Sequence, residues 1–289
     1  MGHITIKAHA KINLTLTITG RRDDGYHLMD SLVVFADLAD HISLTTNDDD
    51  QLTITGQQAD ALNSVNKADN ILMTALNTYR KHMDWDEKFA LSLEKKIPVA
   101  AGIGGGSSDA AAVLTAANRL NPSPCSDDDL AKIGLEIGAD LPVCLKQYQS
   151  SIWRMQSIGD DLSALSIVPL NNAGLILVNP MVGVSTKDVF KQLDVSTLNQ
   201  SDEMEPFHDL SKWLAQGNDL TSPAMAIEPK IQHQIDQLSP LKEQQGYLHH
   251  GMSGSGATCY ALFEHPDQAR SAHDRIKHLM AWSWAGKLI

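Results

Sequence analysis

The sequence predicts an α/β chain organised as two α+β domains, and three observations predict it. A strand of period two opens the chain between Lys7 and Thr19. A glycine-rich segment at 98–108 runs into a long alanine-rich helix. Beyond about residue 150 the succession of strand and helix patterns starts afresh. At ~150 residues per domain, 289 residues suit two domains, placed at 1–155 and 156–289.

Taken in order, Ala8, Ala10, Ile12, Leu14, Leu16 and Ile18 alternate with Lys7, His9, Lys11, Asn13, Thr15, Thr17 and Thr19, which gives the first strand one apolar and one polar face. Gly20–Tyr26 reads as a turn, and Ser31–Phe35 and His41–Thr45 read as two further strands. A helix follows that Asp69 can cap, with Ile71, Leu72, Ala75, Leu76 and Tyr79 at helical spacing. Phe89–Leu93 is a short strand. The alanine-rich helix is expected from about Ser108 to Leu120 and a second helix over Asp127–Ile137, with Gly138 ending it. Strands are expected at Ser151–Met155, Gly174–Val178 and Ala257–Phe263, a polar acidic loop at Ser196–Glu205, and an exposed helix over Pro266–Met280.

Composition excludes several function classes. With 43% hydrophobic and 20% charged residues the chain has the mix of a folded globular protein rather than a disordered one. A net charge of −12 repels a phosphate backbone over most of the surface, so no nucleic-acid partner is expected. Cys125, Cys144 and Cys259 lack the spacing of a zinc site and are odd in number, which argues against a disulfide framework and for a reducing, cytoplasmic setting. No apolar run reaches the ~18 residues of a membrane span, and no membrane partner is expected.

The segment Pro98-Val99-Ala100-Ala101-Gly102-Ile103-Gly104-Gly105-Gly106-Ser107-Ser108 holds four glycines among residues 102–106 and opens onto a helix. Glycines let a backbone approach an anion closely, and the helix dipole adds partial positive charge at the same end. A capped turn would need one glycine, not four. The lysine of a Walker A loop is missing after Gly106, and the third glycine of the dinucleotide fingerprint falls on Ser107. Lys11, alone, reads as a solvated strand charge and Asp140 as a turn aspartate. The apolar run after Asp140, however, predicts a carboxylate at a buried strand edge, where a lysine partner is expected. A Lys/Asp pair beside a phosphate loop is equipment for phosphoryl transfer.

Three segments together resemble the motifs of the GHMP small-molecule kinases: Ala8-His-Ala-Lys-Ile-Asn-Leu14, Pro98–Ser108, and Gly251-Met-Ser-Gly-Ser-Gly-Ala257. The segments Ile18–His27, Gly138-Ala-Asp-Leu-Pro-Val143 and Gly217-Asn-Asp-Leu220 narrow the likeness to the branch whose acceptor is 4-diphosphocytidyl-2-C-methyl-D-erythritol, in non-mevalonate isoprenoid biosynthesis. The resemblance implies a ribosomal-protein-S5-like N-terminal domain and a ferredoxin-like C-terminal one. It implies ATP as phosphoryl donor, bound along Pro98–Ser108, with Mg2+ carried by the triphosphate.

It also implies roles. Asp140 is the general base and Lys11 its pairing lysine, while Asn13 contacts the acceptor. Tyr26 stacks on the cytosine, His27 hydrogen-bonds its edge, and Phe190 with its neighbour Thr186 forms the opposite face. Asn70 and Lys95 fall at the adenine site. Asp109 stands where many members carry alanine, and its relation to the metal is open. A monomer or a homodimer is compatible with the sequence. Two rival readings are a GHMP kinase of another acceptor and a nucleotide-binding module without chemistry; Tyr26 and Phe190 argue against the first, and the joint presence of Lys11 and Asp140 against the second.

Overall fold

Strand patterns and helix caps in the chain become twenty elements in a computed structural model that describes residues 2–62, 70–193 and 209–289. In order these are β1 (His3–Asn13), β2 (Thr17–Arg21), β3 (His27–Thr46), β4 (Gln51–Thr55), α1 (Ile71–Met83), β5 (Phe89–Glu94), α2 (Gly105–Leu120), α3 (Asp127–Ile137), α4 (Leu141–Leu145), β6 (Ile152–Ser157) and β7 (Asp161–Ala164). Then come β8 (Gly174–Asn179), α5 (Thr186–Gln192), α6 (Leu210–Leu214), α7 (Thr221–Ile227), α8 (Lys230–Leu238), β9 (Tyr247–Met252), β10 (Cys259–Phe263), α9 (Pro266–Ile276) and β11 (Trp282–Lys287). They fall into two compact units. One comprises residues up to 10, 38–99 and 104–149; the other comprises 11–37, 100–103 and 150–289.

In the first unit the later half of β3 pairs antiparallel with β5, from His41 opposite Glu94 to Thr46 opposite Phe89, and β4 runs parallel to β5. Helices α1, α2, α3 and α4 pack on one another. The alanines of α2 explain why they can: Ala110, Ala111, Ala112, Ala116 and Ala117 are all fully buried, and side chains this small let neighbouring helices approach closely. Helix α1 is capped by Asn70, whose side chain accepts from the Leu72 amide. The expected cap Asp69 and the expected loop 196–205 lie outside the described residues.

In the second unit the first half of β3 pairs antiparallel with β2 and with β6, and β6 with β7. A separate sheet has the order β11-β8-β10-β9, antiparallel throughout. Every residue of β8 and β10 is buried, as befits central strands covered by packed helices. Helices α8 and α9 lie against this sheet, and Val178, Ile231, Leu238, Ala261, Phe263 and Ala269 share its core.

Several sequence expectations are corrected. The two strands at Ser31–Phe35 and His41–Thr45 are one strand, β3, because Asp40, which interrupts the apolar pattern, is wholly buried and satisfied by hydrogen bonds within the first unit. The strand expected over Lys7–Thr19 breaks at Leu14–Leu16 into β1 and β2, and the turn expected from Gly20 begins only after Arg21. The alanine-rich helix starts at Gly105, three residues early, so two of the four glycines are helical. The run after Asp140 is the short helix α4, not a strand; Pro142 in its first turn suits a helix start, where the missing amide costs nothing. The third motif segment, Gly251–Ala257, begins inside a strand, since β9 occupies Tyr247–Met252.

Candidate active site

Lys11 and Asn13 project from the end of β1 within the second unit. Both are buried, at 3% and 1% exposure, so the polar face of the first strand is solvated only in its early part. The Lys11 amide donates to the Ile103 carbonyl at 3.0 Å, which joins the first motif to the glycine-rich segment. The Asn13 amide donates to Ser253 Oγ at 3.0 Å and its Nδ2 to Ser31 Oγ at 2.7 Å. This fixes the side-chain amide with Oδ1 buried and without a protein donor. A buried acceptor left in that state is suited to a hydroxyl of a bound molecule.

Tyr26 and His27 follow the tight turn in which Gly25 takes a φ of +94°, and the Arg22 amide closes the turn on the Tyr26 carbonyl. Tyr26 is 59% exposed. His27 opens β3 and stacks on Phe190 of α5, with ring centroids 4.9 Å apart and planes inclined by 26°. One face of Phe190 is thus covered by His27, whose pKa is lowered by burial and by the nearby Arg21 charge. Ser185 caps α5, and Thr186, its first residue, shares a 2.8 Å hydrogen bond with Ser255 of the second glycine loop. Lys11, Asn13, Tyr26, His27, Thr186 and Phe190 therefore all belong to one compact unit.

The first unit holds Asn70, Lys95, Asp140 and the start of α2. Asn70 uses its side-chain oxygen to cap α1, which leaves its Nδ2 for another acceptor. Lys95 Nζ donates to Asp40 at 2.5 Å and to Asp109 at 2.7 Å, all three residues being buried. Burial works against the charge of Lys95, but the two carboxylates outweigh it and hold the lysine above its ordinary pKa. Burial, and the Asp40 carboxylate, raise Asp109 to about 8 against the pull of Lys95. Asp109 Oδ1 has no hydrogen-bond partner. Asp140 sits half-buried at the start of α4.

The glycine-rich segment crosses between the units. Pro98 and Val99 belong to the first, Ala100, Ala101, Gly102 and Ile103 to the second, and Gly104, Gly105, Gly106, Ser107 and Ser108 to the first again. Ala100, Gly102 and Gly104 all have positive φ, at 53°, 72° and 63°. Gly102 also needs its missing side chain, since a Cβ there would run into the Gly256 carbonyl. From Gly104, the N-cap, α2 starts with Ser108 as the first residue whose amide bonds back along the helix. The amides before it have no partner within the helix. The Ser108 hydroxyl donates to the His9 carbonyl at 2.7 Å and so ties this helix start to β1 within the first unit.

Three features escaped the sequence reading. Asp40 was hidden inside an apolar stretch, and an acid at the centre of such a run is the signal that could have found it. Asn218 and Asp219 carried no role: Asn218 Nδ2 donates to the Met252 and Gly254 carbonyls, and the Asp219 carboxylate accepts the Ile18 amide. Ser253 has no role of its own in the sequence beyond its place in the Gly251–Ala257 motif.

Comparison with known proteins identifies what these motifs belong to. The family model for the GHMP kinases N terminal domain matches residues 70–147, and that for the GHMP kinases C terminal matches residues 204–281. The 4-diphosphocytidyl-2-C-methyl-D-erythritol kinase of Ruegeria pomeroyi is 43% identical, over 98% of this chain and 98% of its own. The chain belongs to this family of GHMP kinases. The enzyme of the same name from Mesorhizobium japonicum is 41% identical over 96% of this chain and 92% of its own. Among solved structures, a 4-(cytidine 5'-diphospho)-2C-methyl-D-erythritol kinase superposes with a TM-score of 0.78 at 28% identity, covering 99% of each chain. A homoserine kinase from Cytophaga hutchinsonii, at 17% identity and a TM-score of 0.66 over 100% of this chain and 95% of its own, shares the fold. As in other GHMP kinases, the architecture is mixed α/β with two sheets.

Among the described residues no helix is long and apolar enough to cross a membrane, and no group of three His, Cys, Asp or Glu side chains stands where it could hold a metal ion. Asp109, the acid nearest the helix start, is engaged by Lys95.

Proposed function

We propose that this protein phosphorylates the 2-hydroxyl of 4-diphosphocytidyl-2-C-methyl-D-erythritol with ATP, giving the 2-phosphate and ADP, as a step of non-mevalonate isoprenoid precursor synthesis in the cytoplasm. The observation that carries this reading is the gathering of the acceptor-side residues in one unit: buried Lys11 and Asn13, and His27 ring to ring with Phe190. Nucleotide binding is assigned mainly to the 1–155 half and the acceptor to the 156–289 half together with the β1–β3 segment; the family-model matches at 70–147 and 204–281 fall on either side of that division.

In this reading Asp140 accepts the proton of the 2-hydroxyl as that oxygen attacks the γ-phosphorus. The bond to the β,γ-bridging oxygen breaks, and ADP leaves with the electron pair. Lys11 stabilises the developing alkoxide charge, and its burial strengthens that effect by excluding water. Asn13 Oδ1 accepts from an acceptor hydroxyl and sets its orientation. The open amides at the start of α2 and the glycine segment hold the triphosphate. Mg2+, when bound, neutralises phosphate charge, and the triphosphate oxygens supply its hard ligands. Asn70 Nδ2 is placed toward adenine; Lys95 serves that site through the shape it gives the loop, since its ammonium is engaged by Asp40 and Asp109. At the other end Tyr26 is free to close on a cytosine, with His27 and Phe190 offering an edge and a face.

The test is an assay that couples ADP release to oxidation of a reduced nicotinamide, with the cytidine diphosphate ester as acceptor and the product identified by phosphorus NMR. Stoichiometric ADP and a new monophosphate ester at the 2-position are expected. ATP turnover with mevalonate or homoserine, and none with the cytidine ester, would overturn the acceptor assignment.

A further inference from the structure

Ser253 is fully buried, and its hydroxyl bridges two distant segments. It accepts the Asn13 backbone N–H at 3.0 Å, a contact spanning 240 residues of sequence, and donates to the Gly102 carbonyl at 3.1 Å, spanning 151. A serine hydroxyl has one donor and two acceptor positions, so these two bonds orient it fully. The surrounding loop holds it in place. Ser253 N donates to the Thr258 carbonyl, Gly256 N to the Ser253 carbonyl, and Thr258 N to the Ala101 carbonyl, each at 3.0 Å. From the other side Asn218 binds the carbonyls that flank Ser253, those of Met252 at 2.8 Å and Gly254 at 2.9 Å. All these residues lie in the second unit.

We propose, resting on the kinase reading above, that Ser253 is a positioning residue that sets the register between the acceptor-side strand end at Asn13 and the triphosphate segment at Gly102. A single hydroxyl thereby ties together all three motif segments. Asn13 carries the unpaired acceptor that the incoming alcohol meets, and Gly102 stands where the backbone leaves no room for a side chain against Gly256. In-line transfer needs the attacking oxygen and phosphorus within ~3–3.5 Å, and a displacement of ~1 Å arising away from the chemistry can cost ~100-fold in rate. Each segment keeps its own ligand contacts if the bridge is cut. The loss therefore falls on kcat and not on either KM.

The experiment uses the full chain, with Ser253→Ala removing the hydroxyl and Ser253→Thr keeping it. Steady-state kinetics in ATP and the cytidine ester are combined with amide hydrogen exchange resolved to segments 11–14 and 100–103. Ser253→Ala is expected to lower kcat by about 10- to 100-fold with both KM values within about threefold of wild type, and to speed exchange in both segments and not elsewhere. Ser253→Thr should recover most of kcat. A wild-type kcat in Ser253→Ala, a loss confined to KM, or exchange that quickens in only one segment or throughout the chain overturns the proposal. Wild-type protein supplies a check that needs no variant: the Asn13 amide must exchange as slowly as core strand amides, and exchange at the rate of an exposed loop overturns the bridge. If wild type fails to phosphorylate the cytidine ester while the two-segment exchange response holds, the acceptor assignment falls and the Ser253 bridge stands.

Discussion

Asp109 is a residue whose protonation state depends on its neighbours. Its carboxyl is buried between Lys95 and the helix start and is raised to about 8, with burial as the leading cause. A raised carboxyl means that the folded chain keeps a proton which the unfolded chain releases near the ordinary value of 3.8. Folding stability from this group is complete below that lower value and is lost as pH climbs through the folded one, at up to ~1.4 kcal/mol per pH unit in between. Asp109→Asn keeps an oxygen for Lys95 and removes the titration. Its melting temperature relative to wild type should therefore rise steadily from pH 5 to pH 8; a difference that stays flat across that range would show that Asp109 is ionised in the fold throughout. Asp140 poses a question of rate and not of stability. Asp140→Asn preserves shape and removes the proposed base, so kcat should fall by ~10²- to 10⁴-fold while ATP affinity measured by calorimetry changes little. A near-normal kcat in a folded Asp140→Asn protein would take the aspartate out of proton transfer.

The start of α2 separates two kinds of glycine. At Gly105 an added Cβ would press on Ile97 at 3.0 Å and on Lys95 Nζ at 3.2 Å, so Gly105→Val strains the buried ion cluster whatever binds at the loop. At Gly106 an added Cβ meets nothing within 4 Å, and the backbone does not need positive φ. Gly106→Val is therefore the cleaner probe: the protein alone tolerates it, apart from the modest helix-propensity cost of a β-branched residue. ATP binding is expected to weaken by tenfold or more with the melting temperature lowered by only a few degrees. Unchanged ATP affinity in Gly106→Val would move the triphosphate away from this helix start. Strand β3 makes the complementary point about elements. Its twenty residues give the first half to one unit and the second half to the other, a division invisible in a local pattern, because alternation reports which face is buried and not what covers it.

For the molecule as a whole, the fold is shared with a kinase of another alcohol, homoserine, so in the proposed reading selectivity rests on the base-side residues. If Tyr26 covers one face of the cytosine, Tyr26→Ala should lose ~1–3 kcal/mol, read as a five- to more than a hundredfold drop in kcat/KM for the cytidine ester. A uridine version of the ester should be the poorer substrate, since a hydrogen-bonding edge rejects an analogue that reverses donor and acceptor. That gap should shrink in His27→Ala, through loss of the edge partner and of the ring that covers Phe190. Equal kcat/KM for the two esters in wild type would remove His27 from base recognition.

What the sequence determined by itself was local or carried by motif. The α/β class, helix α3 to the residue, and strands β5 and β8 to within one residue all follow from periodicity and caps over short windows. The kinase reading followed from three motifs whose spacing is a property of the chain. Tertiary structure decided whatever depended on which distant segment covers a side chain. Lys11 and Asn13 sit on the polar face of a strand, yet they are buried, and their backbone amides donate to the distant Ile103 carbonyl and Ser253 hydroxyl. The run after Asp140 is helical because its apolar residues pack against α2 and α3, a burial that a strand and a helix edge would satisfy equally in sequence. Asp40 finds Lys95 across 55 residues, and Ser253 finds Asn13 across 240, and no local pattern encodes a hydrogen bond of that separation. A buried polar group is stable only with its partner in place, so its partner is fixed by the finished fold and not by the residues on either side of it.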